Sequence, residues 1–217
     1  MDDVQIIKYL NQYFLEIMEE LSKDKFSHFR NYFFIQHNFS NGNIDGKFKD
    51  IFCRFYKLSR PGGLTAHQKF IFFKYLSKEE IDLKKTLHLL YEIPGYNDAH
   101  RLFLSFASKL IHTVNNKNPI YDRNIALILS LPRQAYPPHI DERIKNRLEI
   151  YSKLKDRFNS LLSNNELNGV LTKCRNVLRH KAAIEHVEWR DDLILDVKLL
   201  DSLLWALYYV LYRRNAL

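Results

Sequence analysis

The carboxylate of Asp122 is the group in this sequence best placed to do chemistry. It stands in the segment Pro-Ile-Tyr-Asp-Arg-Asn-Ile at positions 119–125. Apolar residues then recur at helical spacing, at Ile125, Ile128 and Leu129, so Asp122 is predicted to be the N-cap of a helix. A carboxylate there lies at the positive end of the helix dipole and can stabilise positive charge that develops on a substrate. A plain helix cap is the alternative interpretation, because aspartate is common at N-caps.

A turn and a helix precede Asp122 in the sequence. Ile-Pro-Gly at positions 93–95 ends one helix, because proline and glycine both interrupt helical structure. Asn97 or Asp98 is predicted to cap the next helix, whose apolar residues recur at helical spacing as far as Val114. A polar loop then leads to Asp122, and free backbone amides in these loops would face an anion such as a phosphate.

The Ile-Pro-Gly turn and the Pro-Ile-Tyr-Asp segment together resemble the helix–hairpin–helix DNA glycosylase superfamily. In that superfamily a Leu-Pro-Gly-x-Gly hairpin precedes a helix, and a proline, an apolar residue and the catalytic aspartate follow it. Here Asn97 stands in place of the second hairpin glycine, and the interval from Gly95 to Asp122 is longer than usual. The resemblance implies a two-lobed all-α protein that binds double-stranded DNA between its lobes and uses Asp122 to excise a flipped base.

The resemblance also implies a type of reaction and a set of DNA contacts. Where lyase-active members keep a lysine, this sequence reads Arg-Leu-Phe at 101–103, which implies hydrolysis without a lyase step. A damaged base is one substrate that fits. A glucosylated hydroxymethylcytosine is another, because divergent members act in bacterial defence against phages. The expected DNA contacts, at the hairpin and around the aspartate, are Gly95, Tyr96, Asn97, Lys117, Arg123 and Asn124.

A second turn, Arg-Pro-Gly-Gly at positions 60–63, is a candidate for part of the base pocket. Its two glycines let the backbone approach a ligand closely, and the helix that follows begins with free amides. An ordinary turn between helices is the alternative. The predicted base-pocket residues are Tyr121, Arg60, Gly62, Gly63 and His67.

Composition and charge favour a helical protein that binds nucleic acid. The chain has 217 residues, of which 46% are hydrophobic, and only six glycines and six prolines. This composition predicts one all-α globular unit of nine or ten helices, 1–217, with a boundary between lobes near the proline-rich segment 132–140. The net charge of +8 favours a polyanionic partner, and nucleic acid before membrane. We expect a monomer.

Cysteine and histidine usage predicts neither a metal site nor a cofactor. Cys53 and Cys174 alone cannot ligate an iron–sulfur cluster, and no histidine is paired with cysteine or acidic residues at metal-ligand spacing. Reduced cysteines and an acidic N-terminus without a leader pattern predict a cytoplasmic location. The apolar run at 193–212 is interrupted by three charged residues, so it predicts an amphipathic helix rather than a membrane span.

Two other functions fit the sequence. Arg175, Asn176 and His180 have the form Arg-Asn-x-x-x-His within a predicted helix, which resembles the active-site motif of HEPN ribonucleases, all-helical proteins that cut RNA as dimers. The other alternative is a non-catalytic helical module that binds nucleic acid. RNA cleavage that depends on Arg175 and His180 would favour the first, and tight binding to one unmodified DNA sequence would favour the second.

Overall fold

The described chain is entirely helical. The computed structural model describes residues 1–59, 61–78 and 81–214, which form ten α-helices, one 3-10 turn at Tyr96–Asp98 and no strand. This confirms the predicted all-α architecture of nine or ten helices. The helices are α1 (Asp3–Gln12), α2 (Phe14–Ser40), α3 (Gly46–Phe55), α4 (Ala66–Leu76), α5 (Leu83–Glu92), α6 (Leu104–Val114), α7 (Arg123–Ile128), α8 (Ile140–Leu162), α9 (Asn165–Ile184) and α10 (Asp196–Arg213).

Side chains that cap the first turn explain where several helices begin. The carboxylate of Asp45 accepts a hydrogen bond from a first-turn amide of α3 at 2.8 Å. Thr65 and Gln68 form a reciprocal capping box at the start of α4. The carboxylate of Asp122 caps α7 in the same way, which confirms the predicted N-cap.

The helix that precedes Asp122 begins later than predicted. Asn97 and Asp98 have positive φ values of 56° and 54°, so neither caps a helix, and α6 starts at Leu104. Its N-cap residue, Phe103, makes no side-chain capping hydrogen bond. Asparagine and aspartate tolerate the left-handed conformation better than most residues, and two of them in succession interrupt the helical path here. The predicted start at Asn97 or Asp98 is therefore wrong.

The helical N-terminal region is divided at two places. Tyr13 separates α1 from α2, and α2 is kinked at 23–26, where Asp24 and its two successors have positive φ. The part of α2 that follows the kink carries His28 and Tyr32, and both side chains reach residues of α10.

Two clusters of buried apolar side chains form the core. The smaller is built mainly from α3 and α4, with residues of α2, α5 and α6, and the larger mainly from α1, α2 and α7 to α10. Ile120 belongs to the smaller cluster and Tyr121 to the larger, so the chain passes between them immediately before Asp122. On either side of the segment 132–140, Leu129 and Ile144 both belong to the larger cluster.

The helix α10 packs in the larger cluster and carries the apolar C-terminal run. It also buries two charged residues, Lys198 and Asp201, which matter for the site described below. Along the described part of the chain, no helix combines the length and apolarity that crossing a membrane requires.

Candidate functional site

A cavity of about 870 Å³ lies where the two clusters meet, and Asp122 lines it. Its wall also includes His28 of α2, residues at the end of α3 and two residues of α6. Most residues of the segment 120–136 and part of α10 complete it. These parts of the chain are distant in sequence, so the cavity exists only in the folded protein. A more open concavity of about 780 Å³ shares Leu131 and Pro132 with it, but most of the charged residues there are exposed.

Neighbouring helices hold the segment that leads to Asp122. The Tyr121 amide donates a hydrogen bond to Ser108 Oγ in α6 at 2.9 Å. The Tyr151 hydroxyl in α8 donates to the Pro119 carbonyl oxygen, also at 2.9 Å. Asp122 Oδ1 then accepts an amide hydrogen of α7 at 2.8 Å, and the side chain stays half-buried. The carboxylate is therefore fixed in place by contacts on both sides.

The buried ring of His112 supports the same segment from α6. Its Nδ1 lies 2.6 Å from the Asn118 carbonyl oxygen, and its Nε2 lies 3.1 Å from the Tyr32 hydroxyl. Because a carbonyl oxygen only accepts, Nδ1 carries the proton and Nε2 accepts from Tyr32. Burial, with a smaller contribution from the Lys198 ammonium, lowers the pKa of His112 to about 3. The ring is therefore neutral at physiological pH.

Aromatic rings form one wall of the cavity. The rings of His28 and Trp205 are stacked, with centroids 5.8 Å apart and an interplanar angle of 19°. Phe55 lies 5.3 Å from His28, and Tyr209 lies 4.7 Å from Trp205. Burial, and then the charge of Lys198, lower the pKa of His28 well below its ordinary value, so this ring is neutral too. Such a wall suits a flat, uncharged ligand.

A buried ion pair lies on the wall formed by α10. Lys198 Nζ is 2.5 Å from Asp201 Oδ2, and the two residues are only 2% and 5% exposed. Burial raises the pKa of Asp201, whereas the adjacent Lys198 ammonium acts in the opposite direction. The charge of Asp122, the second carboxylate in the cavity wall, raises the pKa of Asp201 as well.

Lys109 of α6 also lines the cavity. Its ammonium donates to the Tyr56 carbonyl oxygen and to Ser105 Oγ, each at 3.1 Å, and lies 5.2 Å from the centre of the Phe106 ring. The position at which the sequence resemblance places a lysine is 101–103, so Lys109 was not among the predicted residues.

Exposed cationic side chains surround the outer part of the cavity. Lys57, Arg123 and Arg133 all line it and all are exposed. Arg133 belongs to the proline-rich loop, which is tied to the cavity by a 3.1 Å hydrogen bond from Gln134 Nε2 to the Tyr121 hydroxyl. This arrangement of charge would attract phosphate groups.

The structure brings together four of the residues predicted for the site. These are Tyr121, Asp122, Arg123 and Asn124, and all four line the cavity. Lys117 is exposed in the loop between α6 and α7 and is not among the lining residues.

The predicted hairpin residues lie away from the cavity wall. The Gly95 amide donates to the Ala99 carbonyl oxygen at 3.0 Å, which closes a turn around Tyr96 and Asn97. Tyr96 is 56% exposed. A phosphate held by this turn would therefore lie outside the cavity rather than in it.

The predicted base-pocket turn is also separate from the cavity. Gly62 has a φ of +76°, and a Cβ at that position would lie 3.4 Å from the Arg101 guanidinium. Gly63 is buried and His67 is exposed in the first turn of α4, and neither lines the cavity. Arg60 lies outside the described residues. Of the four predicted base-pocket residues that the structure describes, Tyr121 alone lines the cavity.

Arg175, from the ribonuclease-like motif, is engaged by carboxylates. It pairs with Asp196 at 2.6 Å and with Asp191 at 3.4 Å, and Arg179 pairs with Asp191 at 2.8 Å. His180 is exposed on α9. Neither Arg175 nor His180 lines the Asp122 cavity.

Within the described residues, no group of three or more histidine, cysteine or acidic side chains could hold a metal ion. Cys53 and Cys174 are both free thiols, half-buried and buried respectively. The polar groups that line the cavity include the carboxylates of Asp122 and Asp201 and the ammonium groups of Lys109 and Lys198.

The chain matches no protein-family model, and comparison with curated proteins and with solved structures gives no match either. The functional conclusion therefore depends on the cavity and its side chains.

Proposed function

We propose that this protein is a DNA glycosylase, which hydrolyses the bond between a modified or damaged base and its deoxyribose after base flipping. The observation that carries the proposal is the half-buried carboxylate of Asp122 on the wall of a large cavity with stacked aromatic side chains. A base within a duplex cannot reach such a recessed carboxylate, whereas a flipped base can enter the cavity and bring its sugar toward the opening.

The chemistry follows from the charge that develops in the sugar. As the base departs with the bonding electron pair, positive charge develops at C1′ and the ring oxygen. The Asp122 carboxylate stabilises this charge and accepts a proton from the water molecule that attacks C1′. The hydroxide of that water bonds to C1′, and the proton that Asp122 accepted passes to the departing base, so the carboxylate is regenerated and an abasic site remains. Because Ser108 and Tyr151 hold the segment before Asp122, little reorganisation is needed when the charge appears.

The proposed reaction is hydrolysis without a lyase step. A lyase reaction needs a lysine amine that attacks C1′ and forms a Schiff base. The amine of Lys109 is instead held by the Tyr56 carbonyl oxygen and Ser105 Oγ. These hydrogen bonds favour a cation that remains in place and adds to the positive potential of the cavity.

The volume of the cavity supports a base that carries a substituent. At about 870 Å³ it is much larger than an unmodified pyrimidine, and its wall contains polar groups beside aromatic ones. A hydroxylated substituent such as a sugar would use those polar groups. We therefore propose two substrates. One is glucosylated hydroxymethylcytosine, with a role in defence against phages, and the other is a damaged base, with a role in repair.

Double-stranded DNA is the proposed partner, bound by a monomer. The net charge of +8 provides a general attraction, and Lys57, Arg123 and Arg133 concentrate cationic groups around the cavity. Contacts of this kind hold phosphates without reading sequence, so discrimination belongs to the cavity.

Replacement of Asp122 by asparagine tests the proposal. Asparagine is a good N-cap, so the Asp122→Asn protein should fold and bind DNA, yet lose excision by a factor of about 10² to 10³. Asp45→Asn is the matched control, because Asp45 caps α3 in the same way and does not line the cavity. Release of modified bases under single-turnover conditions, followed by alkaline cleavage at abasic sites, measures the effect. Equal excision by Asp122→Asn and wild type would refute the assignment.

A further inference from the structure

One carboxylate oxygen of Asp201 has no hydrogen-bond partner among the described residues. Oδ2 is paired with Lys198, but Oδ1 is buried and accepts no hydrogen bond from any described residue. Asp201 is only 5% exposed and lines the same cavity as Asp122. Leaving a buried carboxylate oxygen unpaired is costly, so a ligand that supplies an N–H or O–H donor to Oδ1 would remove that cost.

Lys198 places a donor next to this acceptor. Its ammonium uses one hydrogen for Asp201 and lies above the rings of Tyr32 and Phe55, at 5.3 and 6.0 Å from their centres. An ammonium group has three N–H bonds, and Lys198 lines the cavity. The pair therefore offers an acceptor and a donor side by side, next to the stacked rings of His28 and Trp205.

We infer that Asp201 and Lys198 bind the Watson–Crick edge of the flipped base, so that the cavity takes bases modified elsewhere and rejects bases alkylated on that edge. This inference rests on the proposed function. Every standard nucleobase has on that edge an N–H donor beside a nitrogen or oxygen acceptor, which complements an acceptor beside a donor. The face of the base stacks on the wall of His28 and Trp205. The ring positions opposite the edge remain directed toward the rest of the cavity, which has room for a substituent.

Isomeric bases provide the test, because they differ only in where the alkyl group is attached. Duplexes carry thymine or its isomer 3-methyluracil at one position, opposite an abasic site so that neither base is paired. A second pair of duplexes carries 5-ethylcytosine or its isomer N4,N4-dimethylcytosine. The sugar bears a 2′-fluoro group, which suppresses hydrolysis, so that equilibrium binding is measured alone.

We expect the wild-type protein to bind the isomer with the alkyl group at C5, thymine or 5-ethylcytosine, at least about tenfold more tightly in one or both pairs. A base alkylated on its Watson–Crick edge leaves a charged group without its hydrogen bond. Equal affinity for both members of both pairs, or tighter binding of the edge-alkylated isomers, would overturn the inference. The comparison needs no mutant, so it does not depend on whether a variant folds.

A double variant, Lys198→Met with Asp201→Leu, links the preference to these residues. Replacing both members of a buried ion pair by apolar side chains of similar size usually preserves stability, whereas removing one member leaves an unpaired charge. The double variant should keep its melting temperature and lose the preference between isomers. A folded double variant that retains the preference would overturn the inference.

Different experimental results would refute the inference and the proposed function. Isomer preference without any base release would refute glycosylase activity while leaving Asp201 and Lys198 as base-recognition residues. Base release that depends on Asp122, without isomer preference, would leave the proposed function and refute the inference.

Discussion

The neutral ring of His112 predicts an acid-dependent loss of stability that a single substitution should remove. Its Nδ1 donates to the Asn118 carbonyl oxygen and its Nε2 accepts from the Tyr32 hydroxyl, while burial and the Lys198 ammonium oppose a second proton on the ring. The pKa of His112 is lowered from 6.5 in the unfolded chain to about 3 in the fold. Below pH 6.5 the unfolded state binds a proton that the folded state does not, so acidification favours unfolding.

The size of the effect follows from these two pKa values. A group with a depressed pKa contributes stability above its unfolded pKa, and that contribution is lost as the pH falls toward the folded pKa. Between pH 7 and pH 5, with pKa values of 6.5 and about 3 for His112, the free energy of unfolding should fall by about 2 kcal/mol. Below about pH 3 the contribution should no longer change.

Urea unfolding at a series of pH values measures this loss. His112→Asn keeps an N–H donor near the Asn118 carbonyl oxygen but cannot titrate, so its stability should fall by about 2 kcal/mol less than that of wild type between pH 7 and 5. His28 also has a depressed pKa, but it is present in both proteins and cancels in the comparison. Tyr32→Phe is the control, because it leaves His112 able to titrate and should keep the acid-dependent loss. Equal losses in wild type and His112→Asn would refute the reasoning.

Three further predictions concern DNA binding, the absence of a lyase step and the ribonuclease alternative. Arg123→Ala should weaken binding to unmodified DNA equally for all sequences and reduce the slope of log K against log salt by about 1. Titration at several salt concentrations measures this slope, and an unchanged slope would contradict a phosphate contact. Borohydride should trap no covalent protein–DNA adduct, and an adduct that disappears in Lys109→Ala would contradict hydrolysis without a lyase step. Arg175→Ala should lower the free energy of unfolding by about 1 kcal/mol or less, because its ion pairs are partly exposed, and should leave excision intact. RNA cleavage by wild type that is lost in Arg175→Ala or His180→Ala would favour the ribonuclease alternative.

Features of the fold that depend on local sequence could be predicted. Helical periodicity and the scarcity of glycine and proline were sufficient for the all-α class, and the aspartate before an apolar repeat was sufficient for the cap at Asp122. The start of α6 could not be predicted, because nothing in the sequence signals that Asn97 and Asp98 adopt positive φ values. That conformation depends on how the whole turn packs, which no local pattern records.

Some residues of the candidate site could likewise be predicted from a local motif, and others could not. Tyr121, Asp122, Arg123 and Asn124 are consecutive, so a motif could find them together. Asp201, in contrast, lies within the apolar stripe of α10, where a charged residue looks like an interruption of the pattern. Its role depends on what lies opposite in space, and a single sequence does not contain that information. A charged residue that interrupts the buried face of a helix is nevertheless a signal worth following, because burial of a charge requires a partner.

The position of the cavity between two separately packed clusters has a consequence for motion. The helices α2, α5 and α6 contribute side chains to both clusters, so relative motion is confined to the parts that each cluster packs separately, α3 and α4 on one side and α7 to α10 on the other. Tyr56 of the smaller cluster and Ile125 of the larger one, which both line the cavity, would move apart in such a displacement. Collective shifts of this kind occur on the order of microseconds to milliseconds. The rate at which a bulky base enters the cavity would then depend on how fast the two sides separate, while Asp122 keeps its position beside the larger cluster.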